Sequence, residues 1–349
     1  MFAYVGSRTT RARNARGDGI SVYQFDESSG ALTLVQVVGD LVNPSFLARN
    51  RAGNRLYVVH GDCEDISAFK IDATTGKLEF LNRQSTEGKN PVHLALDPTE
   101  KFIVVSNHIA GTLVVVPIAD DGSLLPLTQK VQLTGEPGPH RKEQPFTKPH
   151  FNPFDPSGQY VVVPDKGLDK VFVFKFHNGK LTPAQVPEVM ARETSGPRHL
   201  AFHPTQPWVY VINELDSTVT SCHFDVATGE LNPFQIVPSL ADTYTGNSRS
   251  SEIEVNRAGT TVYASNRGED TIAVFAIDAS TGRLSLIQSQ ASQGTTPRFF
   301  ALSPSNRWMY VLNEDSDCIV TMQVNSTDGK LNPTPHAVTC GSPVCMVFV

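Results

Sequence analysis

The chain has 349 residues, a formal net charge of −6, and 40% hydrophobic and 18% charged residues, which is typical of a soluble globular protein. Acidic residues outnumber basic ones and no basic cluster stands out, so the sequence predicts no nucleic-acid partner and no anionic-membrane partner. No stretch approaches the roughly 20 apolar residues of a spanning helix, and the first residues do not resemble a secretory leader; we therefore expect a cytoplasmic protein.

A short segment with a central glycine recurs seven times along the chain. Its copies, in chain order, are SSGALTL (28–34), TTGKLEF (74–80), DDGSLLP (120–126), HNGKLTP (177–183), ATGELNP (227–233), STGRLSL (280–286) and TDGKLNP (327–333). Before the copies lie pairs of apolar runs separated by a polar loop, such as RLYVVH and then DISAFKI. Each repeat therefore contains several short strands punctuated by Gly, Asn, Asp and Pro.

A further strand-like segment opens every repeat except the first. The copies are NPSFLAR (43–49), NPVHLAL (90–96), KPHFNPF (148–154), GPRHLAF (196–202), SSEIEVN (250–256) and TPRFFAL (296–302). The last residues of the chain, SPVCMVFV (342–349), supply the copy that the first repeat lacks. Four short strands in a period of about 46 residues are typical of a propeller blade.

The repeats therefore predict an all-β fold, a seven-bladed β-propeller that forms one domain over residues 1–349. The C-terminal strand is expected to complete the first blade and close the ring. Two repeats carry insertions rich in Gly, Pro and polar residues, 133–147 and 236–249, and we expect both to be long loops over one face.

Turn chemistry predicts which polar residues share a face. Motifs such as FDPSGQ and FHPTQP indicate tight turns between the first and second strands of a blade, so the start of the innermost strand and the loop after the second strand lie at the same mouth of the axis. The strand starts contribute His93, His150, Arg198, His199, Glu252 and Arg298. The loops contribute His60, Asn107, His108, Asp165, Lys166, Asn213, Glu214, Asn266, Arg267, Asn313 and Glu314. A central channel of this kind is the default ligand site of a propeller.

Three of these residues stand out chemically. Arg198 opens an innermost strand, where a cation beside a low-dielectric cavity needs an anionic partner or ligand. Glu214 occupies a loop position at which other blades carry different charges, which suits an asymmetric ligand. His150 is a candidate general base, and His93 near the start of the third blade is another.

Other polar residues near the axis have structural interpretations. His199 alternates with Arg198 and is expected to point into the packing between blades, while the repeated asparagines are expected to cap loops. His93, His150 and Glu214 lack any metal-ligand spacing, so we predict no metal site. The sequence also contains no serine-hydrolase elbow, P-loop or dinucleotide-binding motif.

The motifs GPRHLAFHP, VINELDSTV, SNRGEDTIAVF, VPDKGLDKV and SPVCMVF resemble the propeller-type lactonases over essentially the whole chain. That family includes bacterial 6-phosphogluconolactonases and fungal 3-carboxy-cis,cis-muconate lactonizing enzymes. The resemblance implies a cytoplasmic enzyme without cofactor or metal that opens or closes a lactone ring in the central funnel. It implies the catalytic residues His150, Arg198, Glu214 and Arg267. Position near the same mouth adds seven candidate substrate-binding residues: His93, His108, Lys148, Asp165, Lys166, Glu252 and Arg298.

The sequence departs from the family pattern near this site. Lys148 stands where a histidine is common, His108 where Tyr or Gly is usual, and Glu254 where a histidine is frequent.

The resemblance predicts hydrolysis of a small anionic sugar-acid lactone such as 6-phosphogluconolactone. Two alternatives stay open: a muconate-type cycloisomerase using the same site, and a propeller that serves as a binding scaffold without chemistry.

The five cysteines are odd in number and scattered through strand-like sequence, so we expect small buried residues rather than disulfides or metal ligands. The predicted partner is a small anionic lactone or carboxylate. The sequence is compatible with a monomer or a small homo-oligomer.

Overall fold

Seven sheets of short antiparallel strands surround a central axis in the computed structural model, which describes residues 1–349. The predicted all-β, seven-bladed propeller is confirmed. The only helical element is one 3₁₀ turn at Arg11–Arg13, and no helix has the length and apolar character required to cross a bilayer.

Strands β1 to β27 are numbered in chain order, and the strands of each blade are named from the axis outward. Blade 1 consists of β27 (Pro343–Phe348), β1 (Phe2–Ser7), β2 (Ile20–Phe25) and β3 (Leu32–Val38). Blade 2 consists of β4 (Pro44–Arg49), β5 (Arg55–His60), β6 (Asp65–Ile71) and β7 (Leu78–Ser85). Blade 3 consists of β8 (Pro91–Leu96), β9 (Phe102–Asn107), β10 (Thr112–Pro117) and β11 (Gln129–Gln132).

The remaining blades follow the same order. Blade 4 consists of β12 (Tyr160–Asp165), β13 (Lys170–His177) and β14 (Lys180–Met190). Blade 5 consists of β15 (Pro197–Phe202), β16 (Trp208–Asn213), β17 (Thr218–Asp225) and β18 (Glu230–Pro238). Blade 6 consists of β19 (Arg249–Val255), β20 (Thr261–Arg267), β21 (Thr271–Ile277) and β22 (Leu284–Ala291). Blade 7 consists of β23 (Pro297–Leu302), β24 (Trp308–Asn313), β25 (Cys318–Val324) and β26 (Leu331–Thr339).

Ring closure occurs where the sequence predicts it. Strand β27 pairs antiparallel with β1, with Tyr4 opposite Val347 and Gly6 opposite Cys345. The C-terminal strand thus becomes the innermost strand of the first blade. Because the two ends of the chain share one sheet, the ring has no open edge between its first and last blades.

The fourth blade departs from the pattern, because its inner segment is not a regular strand. The segment is held only by isolated bridges, Pro149 to Asp165 and Phe154 to Val161. Pro149 and Pro153 lack the backbone N–H that a ladder needs, which explains the missing strand. His150 lies in this segment, and its backbone N–H still donates to the Pro164 carbonyl at 3.0 Å.

The hydrophobic core is divided among the seven interfaces between neighbouring blades. Each interface buries a cluster of ten or eleven apolar residues. The cluster between the last and first blades, for example, joins Tyr310 to Val5 and Met346. The alternation of side chains along the strands produces this arrangement, because both faces of every blade are buried.

A tyrosine hydrogen bond links six of the seven pairs of neighbouring blades and explains the glycine in the repeated segment. In each case a buried tyrosine of a second strand donates to a hairpin carbonyl of the following blade, as Tyr4 does to Gly76 at 2.7 Å. The other pairs are Tyr57 to Gly122, Tyr160 to Ala227, Tyr210 to Gly282, Tyr263 to Gly329 and Tyr310 to Gly30. Gly76 has a φ of +71°, and a Cβ there would lie 2.4 Å from the Phe2 ring, so no other residue fits.

We predict that Tyr210→Phe lowers the free energy of unfolding by about 1–2 kcal/mol, because it leaves the buried Gly282 carbonyl without its donor. Thermal and denaturant unfolding measure the effect. Tyr244→Phe is the matched control, since that hydroxyl bonds to the Asn247 carbonyl at an exposed site. Equal stability of the two variants would contradict the role given to the tyrosine bonds.

Candidate active site

A bulge at the start of the innermost strands determines which side chains reach the axis. In five blades the strand register shifts by one residue directly after its first pair, as between Pro197 and His199, and in blade 6 it shifts after the second pair, between Ser250 and Ile253. The unpaired residue turns toward the mouth of the channel, as bulged residues near active sites often do. Together with His150 of the irregular fourth blade, these residues form the mouth ring: Ser45, Val92, His150, Arg198, Ser251, Arg298 and Val344.

The residue after each member of the mouth ring lies one layer deeper. This floor ring consists of Phe46, His93, Phe151, His199, Glu252, Phe299 and Cys345. The aromatic members of the floor ring pack against one another. His199 stacks on Phe151 with ring centroids 4.2 Å apart, and the ring centroids of Phe46 and Phe299 are 6.0 Å apart. The floor ring separates the mouth from a second, largely apolar cavity at the opposite end of the axis.

A funnel of about 330 Å³ opens above the floor ring. Seven of the residues predicted for the site line it: His108, His150, Lys166, Arg198, Glu214, Arg267 and Arg298. This set includes all four residues that the family resemblance implies to be catalytic. The volume of the funnel lies at the lower end of the range for small-molecule sites, about 300–1,000 Å³.

The Glu214 carboxylate is the centre of the funnel. One oxygen, Oε1, lies 2.7 Å from Lys166 Nζ, and the other, Oε2, lies 3.1 Å from Arg198 Nε and 3.3 Å from Arg267 Nη2. Arg249 approaches the same carboxylate at 3.9 Å. One buried carboxylate therefore fixes the positions of cations from three successive blades.

Glu214 is ionised although it is buried, with 6% of its side chain exposed. Burial acts to raise its pKa, but Lys166, Arg267 and Arg198 outweigh that effect and hold the pKa well below its ordinary value. A carboxylate with so low a pKa is a weak proton acceptor at neutral pH. Its geometry suits it to organise the cations rather than to take a proton.

Arg198 and Arg267 are each tied to the backbone as well as to Glu214. Arg198 Nη1 donates to the Ser251 carbonyl at 2.6 Å, and Arg267 Nη2 donates to the Ser250 carbonyl at 3.1 Å. The contact of Arg198 Nε with Glu214 is close but lacks the alignment of a hydrogen bond. Both guanidinium groups are thus fixed before any ligand arrives, which favours binding of an anion.

The long loop between blades 3 and 4 adds a second carboxylate. Glu143 lies 2.9 Å from Lys166 Nζ and 2.9 Å from Arg249 Nη2. Gln144 anchors the loop by donating from Nε2 to the Lys166 carbonyl at 2.9 Å. The insertion therefore extends over the funnel, as expected from its sequence, and it brings a charged residue that the sequence reasoning did not identify.

A second cationic cluster lies on blades 7 and 1, beside blade 6. Glu314 pairs with both Arg8, at 3.0 Å, and Arg298, at 3.8 Å. The Arg8 Nε is buried without an aligned hydrogen-bond partner, and burial together with Arg298 lowers its pKa to about 9. Two guanidinium groups thus share one carboxylate, which leaves a surplus of positive charge.

The funnel as a whole is positive in a protein whose net charge is −6. Its lining contains seven cations against three carboxylates. The cations are Arg8, Arg13, Lys166, Arg198, Arg249, Arg267 and Arg298, and the carboxylates are Asp62, Glu143 and Glu214. Such a site attracts anionic ligands and disfavours cationic ones.

The histidines of the funnel are neutral. Burial and the nearby Arg198 hold the pKa of His150 well below 6.5, and its buried Nδ1 has no hydrogen-bond partner. Burial and Lys166 lower the pKa of His108 to about 3, and its Nδ1 contacts the Pro149 carbonyl at 3.2 Å. A neutral imidazole with a free ring nitrogen can accept a proton at physiological pH.

The other four predicted substrate-binding residues do not line the funnel: His93, Lys148, Asp165 and Glu252. His93 belongs to the floor ring and contacts Asn152 Oδ1 through Nδ1 at 2.9 Å. Asp165 is buried and accepts hydrogen bonds from the backbone N–H groups of Lys148, Gly167 and Leu168, which shapes the loop that carries Lys166. Lys148 Nζ donates to the Glu143 carbonyl at 2.8 Å, so it supports the long loop.

His199 and Glu252 both belong to the floor ring, but only His199 also lines the funnel. The His199 Nδ1 lies 3.1 Å from each oxygen of Glu252. The sequence predicts His199 for packing between blades; the structure places its ring both against Phe151 and at the base of the funnel.

The sequence did not point to five charged residues of the funnel: Arg8, Arg13, Asp62, Glu143 and Arg249. Arg8 and Arg13 lie in the loop after β1, which is the first-blade equivalent of the loops that carry Glu214 and Arg267. The same positional rule would have found them, had it been applied to the blade that is split between the two ends of the chain. Glu143 comes from an inserted loop, for which the repeat gives no alignment, and Arg249, the last residue of the other predicted insertion, is the first residue of β19.

The full chain matches a known family over residues 2–348, described as lactonase, 7-bladed beta-propeller. The chain belongs to this propeller lactonase family. A 6-phosphogluconolactonase of Bacillus subtilis is 33% identical over 352 aligned positions, covering 100% of this chain and 99% of that protein. A 6-phosphogluconolactonase of Formosa agariphila is 32% identical, with 99% of both chains covered.

Solved structures agree with the family assignment. A periplasmic gluconolactonase of Pseudomonas aeruginosa superposes with a TM-score of 0.93 at 27% identity, covering 100% of this chain and 98% of that one. The resemblance inferred from the sequence motifs is therefore confirmed for this propeller lactonase. No group of three or more His, Cys, Asp or Glu side chains is arranged to hold a metal ion.

We predict that Glu214→Gln lowers the free energy of unfolding at pH 7 by about 3 kcal/mol, because it leaves buried cations without their counter-charge. The folded-state pKa of Glu214 lies below the unfolded value of about 4.3, so its stabilising effect is complete above that pH and is lost as the pH falls further. The stability difference between wild type and variant should therefore be constant from pH 8 to 5 and shrink below about pH 4.

Denaturant unfolding across this pH range measures the difference. Glu188→Gln is the control, because it removes an exposed carboxylate that pairs with Lys170 away from the funnel. A Glu214→Gln protein as stable as this control at pH 7 would contradict the central role given to the carboxylate.

Proposed function

We propose that this propeller lactonase hydrolyses a phosphorylated sugar-acid lactone, 6-phosphogluconolactone or a close analogue, within the funnel and without a metal ion. The observation that carries the proposal is the pairing of a neutral, unpartnered His150 with a cationic funnel that holds more positive charges than its carboxylates neutralise. The names of the Bacillus and Formosa relatives support the substrate class.

His150 is the proposed general base. The imidazole lines the funnel and its Nδ1 has no hydrogen-bond partner, so a ring nitrogen is open to take a proton from water as the water oxygen attacks the lactone carbonyl. Glu214, the other candidate, is already engaged by three cations and is a poorer acceptor. The base function therefore falls to His150, with an expected contribution of about 10²- to 10⁴-fold to the rate.

Arg198 and Arg267 are proposed to stabilise the oxyanion that forms at the carbonyl. Their guanidinium groups are fixed by Glu214 and by backbone carbonyls, so little reorganisation is needed when charge develops. A preorganised donor of this kind contributes about 10²- to 10³-fold. Base and oxyanion contacts together suffice for an activated ester, and no covalent nucleophile is required.

The cluster of Arg8 and Arg298 is the proposed site for the substrate phosphate. It lies on blades 7 and 1, beside the Glu214 cluster of blades 4 to 6, and its two guanidinium groups share only Glu314. Planar guanidinium groups bind phosphate oxygens in pairs, which suits a dianion at the end of the substrate opposite to the lactone.

We include a cytoplasmic location of the protein in the same proposal. The cytoplasmic location expected from the sequence stays a prediction, and one relative of known structure is named periplasmic. A cytoplasmic location is the one that we propose for hydrolysis of a phosphorylated sugar-acid lactone.

We predict that purified protein hydrolyses 6-phosphogluconolactone, and that His150→Gln lowers kcat at least 100-fold while binding of the product acid persists. Rates are measured against the spontaneous hydrolysis of the lactone, with carboxymuconate as a parallel substrate. Turnover of carboxymuconate in place of the lactone would favour the cycloisomerase, and ligand binding without turnover would favour a scaffold.

We predict that Arg8→Gln raises KM for 6-phosphogluconolactone tenfold or more and leaves KM for the unphosphorylated gluconolactone nearly unchanged, since a charge-assisted hydrogen bond contributes about 1.5–3 kcal/mol. Arg11→Gln is the matched control, because Arg11 lies in the same loop but is exposed and outside the funnel. Equal effects of Arg8→Gln on both lactones would place the phosphate elsewhere.

A further inference from the structure

A carboxyl–imidazole pair lies at the base of the funnel, separate from the residues proposed for the base and oxyanion contacts. His199 on β15 and Glu252 on β19 are both buried, and His199 Nδ1 is 3.1 Å from both Glu252 oxygens. The Ile253 N–H donates to Oε1 of the same carboxyl group at 3.1 Å. This bond occupies Oε1 as an acceptor and leaves Oε2 as the oxygen that can carry a proton toward the imidazole.

The other ring nitrogen of His199 is unpartnered. Its Nε2 is buried and has no hydrogen-bond partner, although the residue lines the funnel. Stacking on Phe151, at 4.2 Å and 22° between ring planes, fixes the orientation of the imidazole. The ring centroid lies 5.1 Å from that of His150, so the two histidines face the same small volume.

We propose that His199 is a second catalytic residue, the general acid that protonates the ring oxygen of the lactone, and that Glu252 supplies the proton from behind it. The inference rests on the proposed lactone hydrolysis and deepens it. A ring oxygen leaves as an alkoxide, which is a poor leaving group unless a proton reaches it as the bond breaks.

The step balances in atoms and charge. Water adds to the carbonyl carbon and gives one proton to His150, and the resulting oxyanion then expels the ring oxygen as the carbon–oxygen bond breaks. That oxygen takes the Nε2 proton of His199, while Nδ1 takes the O–H proton of Glu252. Return of the His150 proton to Nε2 of His199, with the Nδ1 proton passing back to Glu252, restores the site, and the product acid releases its own proton to solvent.

The protonation states of the pair agree with this role. Burial raises the pKa of Glu252 to about 8, against the opposing effect of Arg198, so the carboxyl group holds its proton at neutral pH. Burial and Arg198 keep the pKa of His199 well below 6.5, so the imidazole is neutral. The titratable and charged groups that face the pair are Arg198, Arg298, Glu214, Glu254, His93, His150 and the Cys345 thiol.

The experiment compares Glu252→Gln and His199→Gln with wild type by the pH profile of kcat and KM for 6-phosphogluconolactone. The amide that Glu252→Gln introduces can still donate to Nδ1 of His199, but it cannot give up a proton. We expect kcat at pH 7 to fall roughly 100-fold in both variants with KM within about twofold of wild type. We expect kcat of wild type to decline above about pH 8, where Glu252 loses its proton, and this decline should be absent in Glu252→Gln.

His203→Gln is the matched control. His203 is a buried histidine directly after β15, the strand that carries His199, and its Nε2 contacts the Gly259 carbonyl away from the funnel. It should retain the rate and the pH profile of wild type. A drop in kcat without any change in the alkaline limb would identify the pair as packing elements and overturn the proposal, as would full kcat in His199→Gln.

The two proposals fail in different ways. Wild-type protein that hydrolyses no lactone would refute the proposed function, and with it this step. An active wild type whose Glu252→Gln variant keeps both its rate and its alkaline limb would refute the role of His199 and Glu252 alone.

Discussion

The funnel depends on one buried interaction, the sharing of the Glu214 carboxylate among Lys166, Arg198 and Arg267. Each cation comes from a different blade, so a single carboxylate holds the loops and strand starts of three blades in register. Unpaired buried charges are costly, and the interaction therefore has to be complete for the mouth of the channel to keep its shape. It also leaves both arginines with bonds to backbone carbonyls, which gives them a fixed orientation toward the cavity.

Burial and the same positive charge together determine the state of the histidines. They lower the pKa of His150 and of His199, so both imidazoles are neutral. Glu252 lies one layer deeper, where burial raises its pKa. The site thus divides its groups by depth: ionised groups and the neutral His150 at the mouth, and a protonated carboxyl group in the floor ring.

Most of the architecture could be predicted from the sequence, because the repeat fixes both the strands and the closure of the ring. The rule that strand starts and following loops share one mouth located His150, Arg198, Glu214 and Arg267. It failed for His93 because that residue is the second after its proline, whereas His150 and Arg198 are the first, and a shift of one residue moves a side chain from the mouth ring to the floor ring. Glu143 could not be found in this way, since the path of an inserted loop depends on tertiary contacts such as that of Gln144 with the Lys166 carbonyl.

The most direct test of these roles is a crystal structure of the protein with 6-phosphogluconate, the product acid. We expect the carboxylate of the ligand within hydrogen-bond distance of Arg198 and Arg267 and next to His150, with the phosphate on Arg8 and Arg298. A ligand bound in the apolar cavity at the other end of the axis, or one whose carboxylate contacts none of these arginines, would contradict the proposed site.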